Sequence, residues 1–199
     1  MGSKVDLSVQ IGKQTLWNPL ILASGGMGRT ARGLIAFAEA GCSAVISKTI
    51  TPDPWDGNPS PRVMEVGDYD LINCEGLPNL GREAFIGEIR RAKAAVKDSL
   101  IVPNLTGNTI EEFVRAAMDF EQAGADALEV TVYGCRNFKP GTRIAASYWS
   151  QTPERIYEVT KAVKDRVSIG VWPKRVGDVY LLVFICDKWH CRCLRLGLA

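Results

Sequence analysis

Apolar residues along this chain fall alternately into short unbroken runs and into helical spacing, and the alternation repeats down its length. The runs LILA (20–23), AVISK (44–48), LIVPN (100–104), ALEVTV (127–132) and SIGVW (168–172) are apolar through most of their length, as expected of parallel strands covered on both faces. Between them, apolar positions lie on one face of a helix. They are Leu34, Phe37 and Ala38 within 30–40, Phe85, Ile89, Ala92 and Val96 within 82–97, Phe113, Ala117 and Phe120 after Thr109, and Ile156, Val159 and Val163 after Thr152. The helix ends carry matching signals. Gly41 stops the first, Thr109-Ile110-Glu111-Glu112 has the spacing of a capping box, and Thr152-Pro153 offers a cap followed by a residue suited to the first turn. Ahead of the first run, 5–17 alternates apolar and polar residues around Gly12-Lys13, which predicts a short hairpin.

Strand and helix in strict alternation predict an α/β fold with a parallel sheet. The joints EAGCSAV (39–45) and QAGADAL (122–128) both leave a helix through Ala-Gly and enter a strand, the repetition expected of successive βα units. Polar residues at the C-terminal ends of the strands favour a (β/α)₈ TIM-barrel type over a doubly wound sheet. The segment SGGMG (24–28) also lacks the Gly-x-Gly-x-x-Gly spacing of a dinucleotide fold. A full barrel needs eight strands and ~250 residues, whereas about five βα units are legible here. The expectation is therefore an incomplete barrel over 1–178, preceded by its hairpin and followed by a divergent tail over 179–199. That tail, VYLLVFICDKWHCRCLRLGLA, has neither a helical face nor a βα joint, and a shifted reading frame would produce such a stretch. Three missing strands would leave two open sheet edges, a route to self-association.

The stretch from 47 to 81, SKTITPDPWDGNPSPRVMEVGDYDLINCEGLPNLG, interrupts the alternation. A loop of this length in a compact domain is usually a lid or a binding loop. Its prolines Pro52, Pro54, Pro59 and Pro61 stiffen its first half.

Composition narrows the classes. The 199 residues are 46% apolar and 23% charged with a formal net charge of +2, which gives no basic surface for nucleic acid or an acidic membrane. No apolar run approaches the ~20 residues needed to span a bilayer, and the first ten residues lack a signal-peptide layout. A cytoplasmic protein is expected, with its six cysteines reduced. Cys186, His190, Cys191 and Cys193 match no zinc-finger spacing, so no metal site is expected.

The strand ends carry candidate chemistry. Ser24-Gly25, Lys48-Thr49, Asn104, Thr131 with Cys135, and Lys174 follow the five strands in turn. Gathered at one mouth, two lysines, an asparagine and backbone donors would suit an anionic heteroaromatic ligand. The plainer account is that each lysine is a solvated strand-end residue.

NPLILASG (18–25), SKTIT (47–51), GNPSPR (57–62) and NCEGLPNLG (73–81), in this order and spacing, resemble the class 1 dihydroorotate dehydrogenases and the pyrimidine-reducing domain of dihydropyrimidine dehydrogenase. The resemblance extends from 5 to 178. It implies an FMN-dependent barrel enzyme, often a homo-oligomer, that transfers hydride between a dihydropyrimidine and the flavin in pyrimidine metabolism. It implies that Ala23, Ser24, Gly25, Lys48, Thr49, Asn104 and Lys174 contact FMN, and that Asn73, Gly76, Leu77 and Asn137 hold the pyrimidine.

The family's Asn-x-Ser-Cys-Pro-Asn segment, which carries the base, is altered here. This chain reads Thr131-Val132-Tyr133-Gly134-Cys135-Arg136-Asn137. Cys135 matches the base if the extra residue is absorbed in the loop, and Arg136 beside it would favour the thiolate. Otherwise Cys135 is an ordinary loop thiol. The glycine-rich phosphate cradle that the family places after its last strands has no counterpart. The alternative is therefore an inactive half-barrel fragment that associates with a partner or with itself.

Overall fold

The computed structural model describes residues 5–132, 148–175, 181–187 and 190–196. The chain opens with the expected hairpin, β1 (Val9–Ile11) and β2 (Gln14–Leu16), which places Val9 opposite Leu16. Gly12 takes the turn at φ +57, a conformation that costs other L-residues.

Strands and helices then alternate. β3 (Ile21–Leu22) leads through a single 3₁₀ turn (Gly26–Gly28) to α1 (Ala31–Glu39) and β4 (Ala44–Ile46). The long connection holds an antiparallel pair, β5 (Val63–Val66) and β6 (Asp70–Asn73), before α2 (Arg82–Ala95). Within the stretch read from sequence as one long loop, Val63, Met64 and Val66 pair with Asn73, Ile72 and Asp70 around Gly67. β7 (Leu100–Val102) and β8 (Asn104–Leu105) precede α3 (Ile110–Gln122), β9 (Ala127–Thr131), α4 (Pro153–Lys164) and β10 (Gly170–Lys174). Thr109 and Thr152 cap α3 and α4 as their spacing predicts, accepting from the amides of Glu112 and Arg155. The tail forms a further antiparallel pair, β11 (Leu181–Asp187) and β12 (His190–Leu196), with Leu181 opposite Leu196.

The strand runs lie parallel in the order β3, β4, β7 and β8, β9, β10. Pro103 has no N–H and splits the expected strand 100–104 into two pieces. Pairing continues across the break, since the amide of Ser47 donates to Val102 O (3.1 Å) and that of Ile50 to Asn104 O (2.9 Å). On the other side the amides of Asp126 and Glu129 donate to Ile101 O and Pro103 O, each at 3.0 Å. Strand order thus follows chain order without the reversal that marks a doubly wound sheet.

The period of two divides the strand residues between two faces. Val45, Ile101, Leu105, Leu128, Val130 and Val171 join Leu34, Phe85, Ile89, Phe113, Phe120, Ile156 and Val159 in the core beneath the helices. Phe85 of α2 meets Phe120 of α3 edge-on at 6.1 Å between ring centres. On the opposite, inner face a smaller core of Ala44, Ile46, Val102 and Ala127 is completed by Leu16 from the hairpin. Gln14 fixes that hairpin, donating from Nε2 to Asp126 O at 3.0 Å. Its amide occupies the space a side chain at Gly170 would need.

The last parallel strand begins two residues later than its apolar run suggests and includes Pro173 and Lys174. Among the described residues β10 pairs only with β9, so proline is tolerated at this edge. Lys174 comes to lie in register with Thr131.

Candidate functional site

The inner face turns polar toward the C-terminal ends of the strands. In β9, Leu128 and Val130 face the helices, so Ala127, Glu129 and Thr131 face inward, and in β10 the same alternation turns Gly170, Trp172 and Lys174 inward. Asn104 and Trp172 stand opposite Glu129 in register, and Lys174 stands opposite Thr131.

These side chains form one connected network. Lys174 Nζ donates to Glu129 Oε1 at 3.0 Å and also to Ser24 Oγ. Asn104 Nδ2 donates to the same Glu129 oxygen, while Asn104 Oδ1 accepts from Thr131 Oγ1 at 2.9 Å. The amide of Asn104 donates to Ser47 Oγ (2.8 Å), and Thr106 Oγ1 donates to Thr131 O (3.0 Å). Asn104 is fully enclosed, and the side chains of Glu129 and Lys174 are 12% and 26% exposed. A carboxylate this far from water is tolerable only with a cation and a further donor on it, and both are present.

A second node joins the end of β4 to the long connection. Lys48, 7% exposed, donates from Nζ to Glu75 Oε2 at 2.6 Å. The hydrogen bond from Lys48 is the main reason the Glu75 carboxyl lies below its ordinary range. Burial opposes this, and the charges of Lys48, Arg29 and Arg62 add to the lowering. The amide of Lys48 donates to Gly28 O at 3.0 Å. Gly28 is required for that approach, because a Cβ there would lie 2.7 Å from Ile46 O. The turn after β3 is thereby laid against the end of β4, with Ser24 facing Lys174 and Gly26 beside Glu75.

The segment after Glu75 is rigidly held. Gly76 and Leu77 have φ +73 and +62, and a left-handed leucine costs about 1–3 kcal/mol unless its surroundings impose it. Trp55 Nε1 donates to Gly76 O (2.8 Å) and Asn79 Nδ2 to Leu77 O (2.8 Å). Asn79 Oδ1 accepts from the amides of Thr51 (3.2 Å) and Gly81 (2.9 Å), and the Trp55 and Asn79 backbones pair reciprocally.

The expected site residues therefore separate into groups. Ser24, Asn104 and Lys174 share one network. Lys48 stands in the neighbouring node with Thr49 buried next to it, and Ala23 and Gly25 flank Ser24 at the end of β3. Gly76 and Leu77 form the clamped bend. Asn73 is exposed at the end of β6, and among the described residues no hydrogen bond ties its side chain to either node. Cys135 and Asn137 lie outside the described residues. Glu129 and Glu75 were not among the residues singled out from sequence, though the alternation within ALEVTV turns Glu129 inward with Thr131. Among the described residues no group of His, Cys, Asp and Glu side chains could hold a metal ion, and no helix is long and apolar enough to cross a membrane. Surface grooves line α3 with α4 and α1 with Glu88. They belong to the helical layer, so the chemistry at the strand ends, not concavity, marks the site.

The family model described as dihydroorotate dehydrogenase matches residues 6–183. A protein of Caldicellulosiruptor saccharolyticus named dihydroorotate dehydrogenase B (NAD(+)), catalytic subunit, is 36% identical over 189 residues, covering 92% of this chain and 60% of the relative. Proteins of the same name from Pyrococcus abyssi and Methanosarcina mazei are 40% and 35% identical, over 86% and 82% of this chain and 55% and 50% of theirs. The chain thus spans between half and three-fifths of the length of these relatives.

Proposed function

Since the chain belongs to the dihydroorotate dehydrogenase family, we propose that its strand ends supply part of an FMN-dependent oxidoreductase site in which hydride passes between a dihydropyrimidine and the flavin. The same reading takes the parallel sheet, in unreversed strand order, as five units of a (β/α)₈ barrel. The observation that carries it is the gathering of two ammonium groups, a fully buried carboxamide and a hydroxyl at the C-terminal ends of successive parallel strands.

The donor set fits the group. FMN, when bound, supplies the two-electron acceptor for the hydride. Lys48 and Lys174 would set positive charge along one edge of its ring, where reduction places negative charge. Ser24 and the backbone of Ala23 and Gly25 would border the ring, and Asn104 would offer an amide whose own oxygen is already engaged by Thr131. Asn73 and the bend at Gly76 and Leu77 would hold the flat pyrimidine, and Thr49 would donate from its hydroxyl. Cys135 would accept the ring-carbon proton, with Asn137 on the substrate's other edge.

Titration of the purified chain with FMN tests the reading through flavin fluorescence and visible absorbance, followed by anaerobic addition of dihydroorotate. Quenched fluorescence, bleaching by dihydroorotate and about tenfold weaker FMN binding in K174M, the loss of one charge-assisted hydrogen bond, are expected. An unchanged flavin spectrum at saturating protein refutes it. A second reading is favoured by β3 and β10, each paired on one side only among the described residues. Such edges suit an inactive half-barrel that associates with itself or another chain. A monomer in sedimentation that turns over dihydroorotate would exclude it.

A further inference from the structure

Glu129 is the one charged side chain of the inner network for which the flavin reading has no use. One of its two oxygens, Oε1, takes both the Lys174 ammonium and the Asn104 carboxamide. An ionised carboxylate can only accept, so it draws the NH₂ side of Asn104 toward itself and leaves Oδ1 for the Thr131 hydroxyl. Packing alone does not call for an acid here. Ala127, the preceding inward residue of β9, belongs to the small inner core, and Trp172 opposite Glu129 packs against that core. Replacing a buried ion pair as a whole by apolar side chains is commonly neutral or stabilising, so stability alone does not account for the pair of Glu129 with Lys174.

We propose that Glu129 is the positioning residue of this site: it fixes the orientation of the Asn104 carboxamide and the reach of the Lys174 ammonium, and its charge tempers the field that Lys174 presents to a ring bound at the strand ends. The last part rests on the flavin reading; the first two do not.

Two measurements on the intact chain separate these parts. In the NMR spectrum, one Asn104 side-chain amide proton is displaced downfield by its bond to a carboxylate. E129Q abolishes that displacement, while K174M and T131V keep it. No displaced proton in the wild-type spectrum, or one that survives in folded E129Q, overturns the positioning role. If E129Q does not fold, the wild-type spectrum with K174M and T131V decides it. With FMN bound, removing the negative charge in E129Q raises the ratio of reduced to oxidised flavin at a fixed potential about tenfold, the order expected of one charge acting within a site of effective dielectric ~20. That is about 30 mV for a two-electron couple. K174M moves the ratio the opposite way. Shifts of the same sign in both variants overturn the electrostatic part, because a loosened site would move them together. If the wild-type chain takes up no FMN, the flavin reading and the electrostatic part fall with it, and the Asn104 proton alone decides the positioning role.

Discussion

Neutralising Glu75 is expected to cost more stability than removing Lys48, although both break the same ion pair. The Lys48 side chain is 8% exposed and that of Glu75 is 32% exposed. In E75Q the ammonium stays buried with only a neutral acceptor in reach. Losing a charge-assisted hydrogen bond costs about 1.5–3 kcal/mol, and stranding a buried charge raises the figure toward ~3–5 kcal/mol. Partial hydration of the site keeps E75Q near the lower end, about 2 kcal/mol. In K48M the carboxylate left behind reaches water, and an apolar chain replaces a desolvated cation. The cost is then below ~1 kcal/mol. The pH dependence follows from the lowered Glu75 carboxyl. A depressed folded-state value contributes stability that is complete above the unfolded value, 4.5, and is lost as pH falls through the folded value. The wild type should therefore lose a component of stability below pH 4.5 that E75Q never had. Urea unfolding of the three proteins at pH 7, repeated from pH 6 to 3, measures both effects. A K48M cost equal to that of E75Q, or wild-type and E75Q curves running parallel through the acid range, would refute the reasoning.

G28A should lose about 1–3 kcal/mol by thermal unfolding, because its methyl group would press on the backbone of Ile46 and Ser47, which cannot yield as a flexible side chain would. G170A should destabilise comparably, but the obstacle is the end of Gln14. Trimming it in G170A/Q14A should therefore restore part of the loss, a non-additivity readable in a double-mutant cycle. E121Q should cost about 1 kcal/mol in urea unfolding. Burial opposes ionisation of Glu121, but donors from Ser168 and Ile169 prevail and lower its carboxyl. That contribution is present above the usual glutamate range and disappears toward acid pH.

The fold was legible where a side chain's type is tied to its period. Leu34 and Phe37, Phe85 and Ile89, Phe113 and Ala117, and Ile156 and Val159 announced α1, α2, α3 and α4, and the runs between them announced the parallel strands in order. Boundaries moved where proline intervened. Pro103 cut one strand in two, and Pro173 was absorbed at an edge, a distinction that depends on what lies alongside. The pair of strands inside 47–81 was missed because Val63, Met64, Leu71 and Ile72 are exposed, so no buried face gives them a periodic signature. Of the site, the cations and Asn104 could be read off strand ends. Their carboxylate partners could not, because Glu75 lies 27 residues from Lys48 and Glu129 lies 45 from Lys174. Only the folded sheet brings those charges together.

The two carboxylates also constrain how the strand ends can meet an anionic ligand. Lys48 and Lys174 each have an acid within 3.0 Å, so neither presents a full uncompensated charge to an incoming ring. Binding must then draw on backbone donors and on Ser24 as much as on net charge, and its salt dependence should be shallow. The Lys174 ammonium has a structural task as well. Among the described residues β3 and β10 share no backbone ladder, yet Lys174 Nζ reaches Ser24 Oγ across the inner face. One side chain thus ties the two ends of the sheet where no main-chain pairing does. Its loss should loosen the turn after β3 and weaken ligand binding together, whereas E129Q keeps the ammonium that reaches Ser24 and removes the charge and the hold on Asn104.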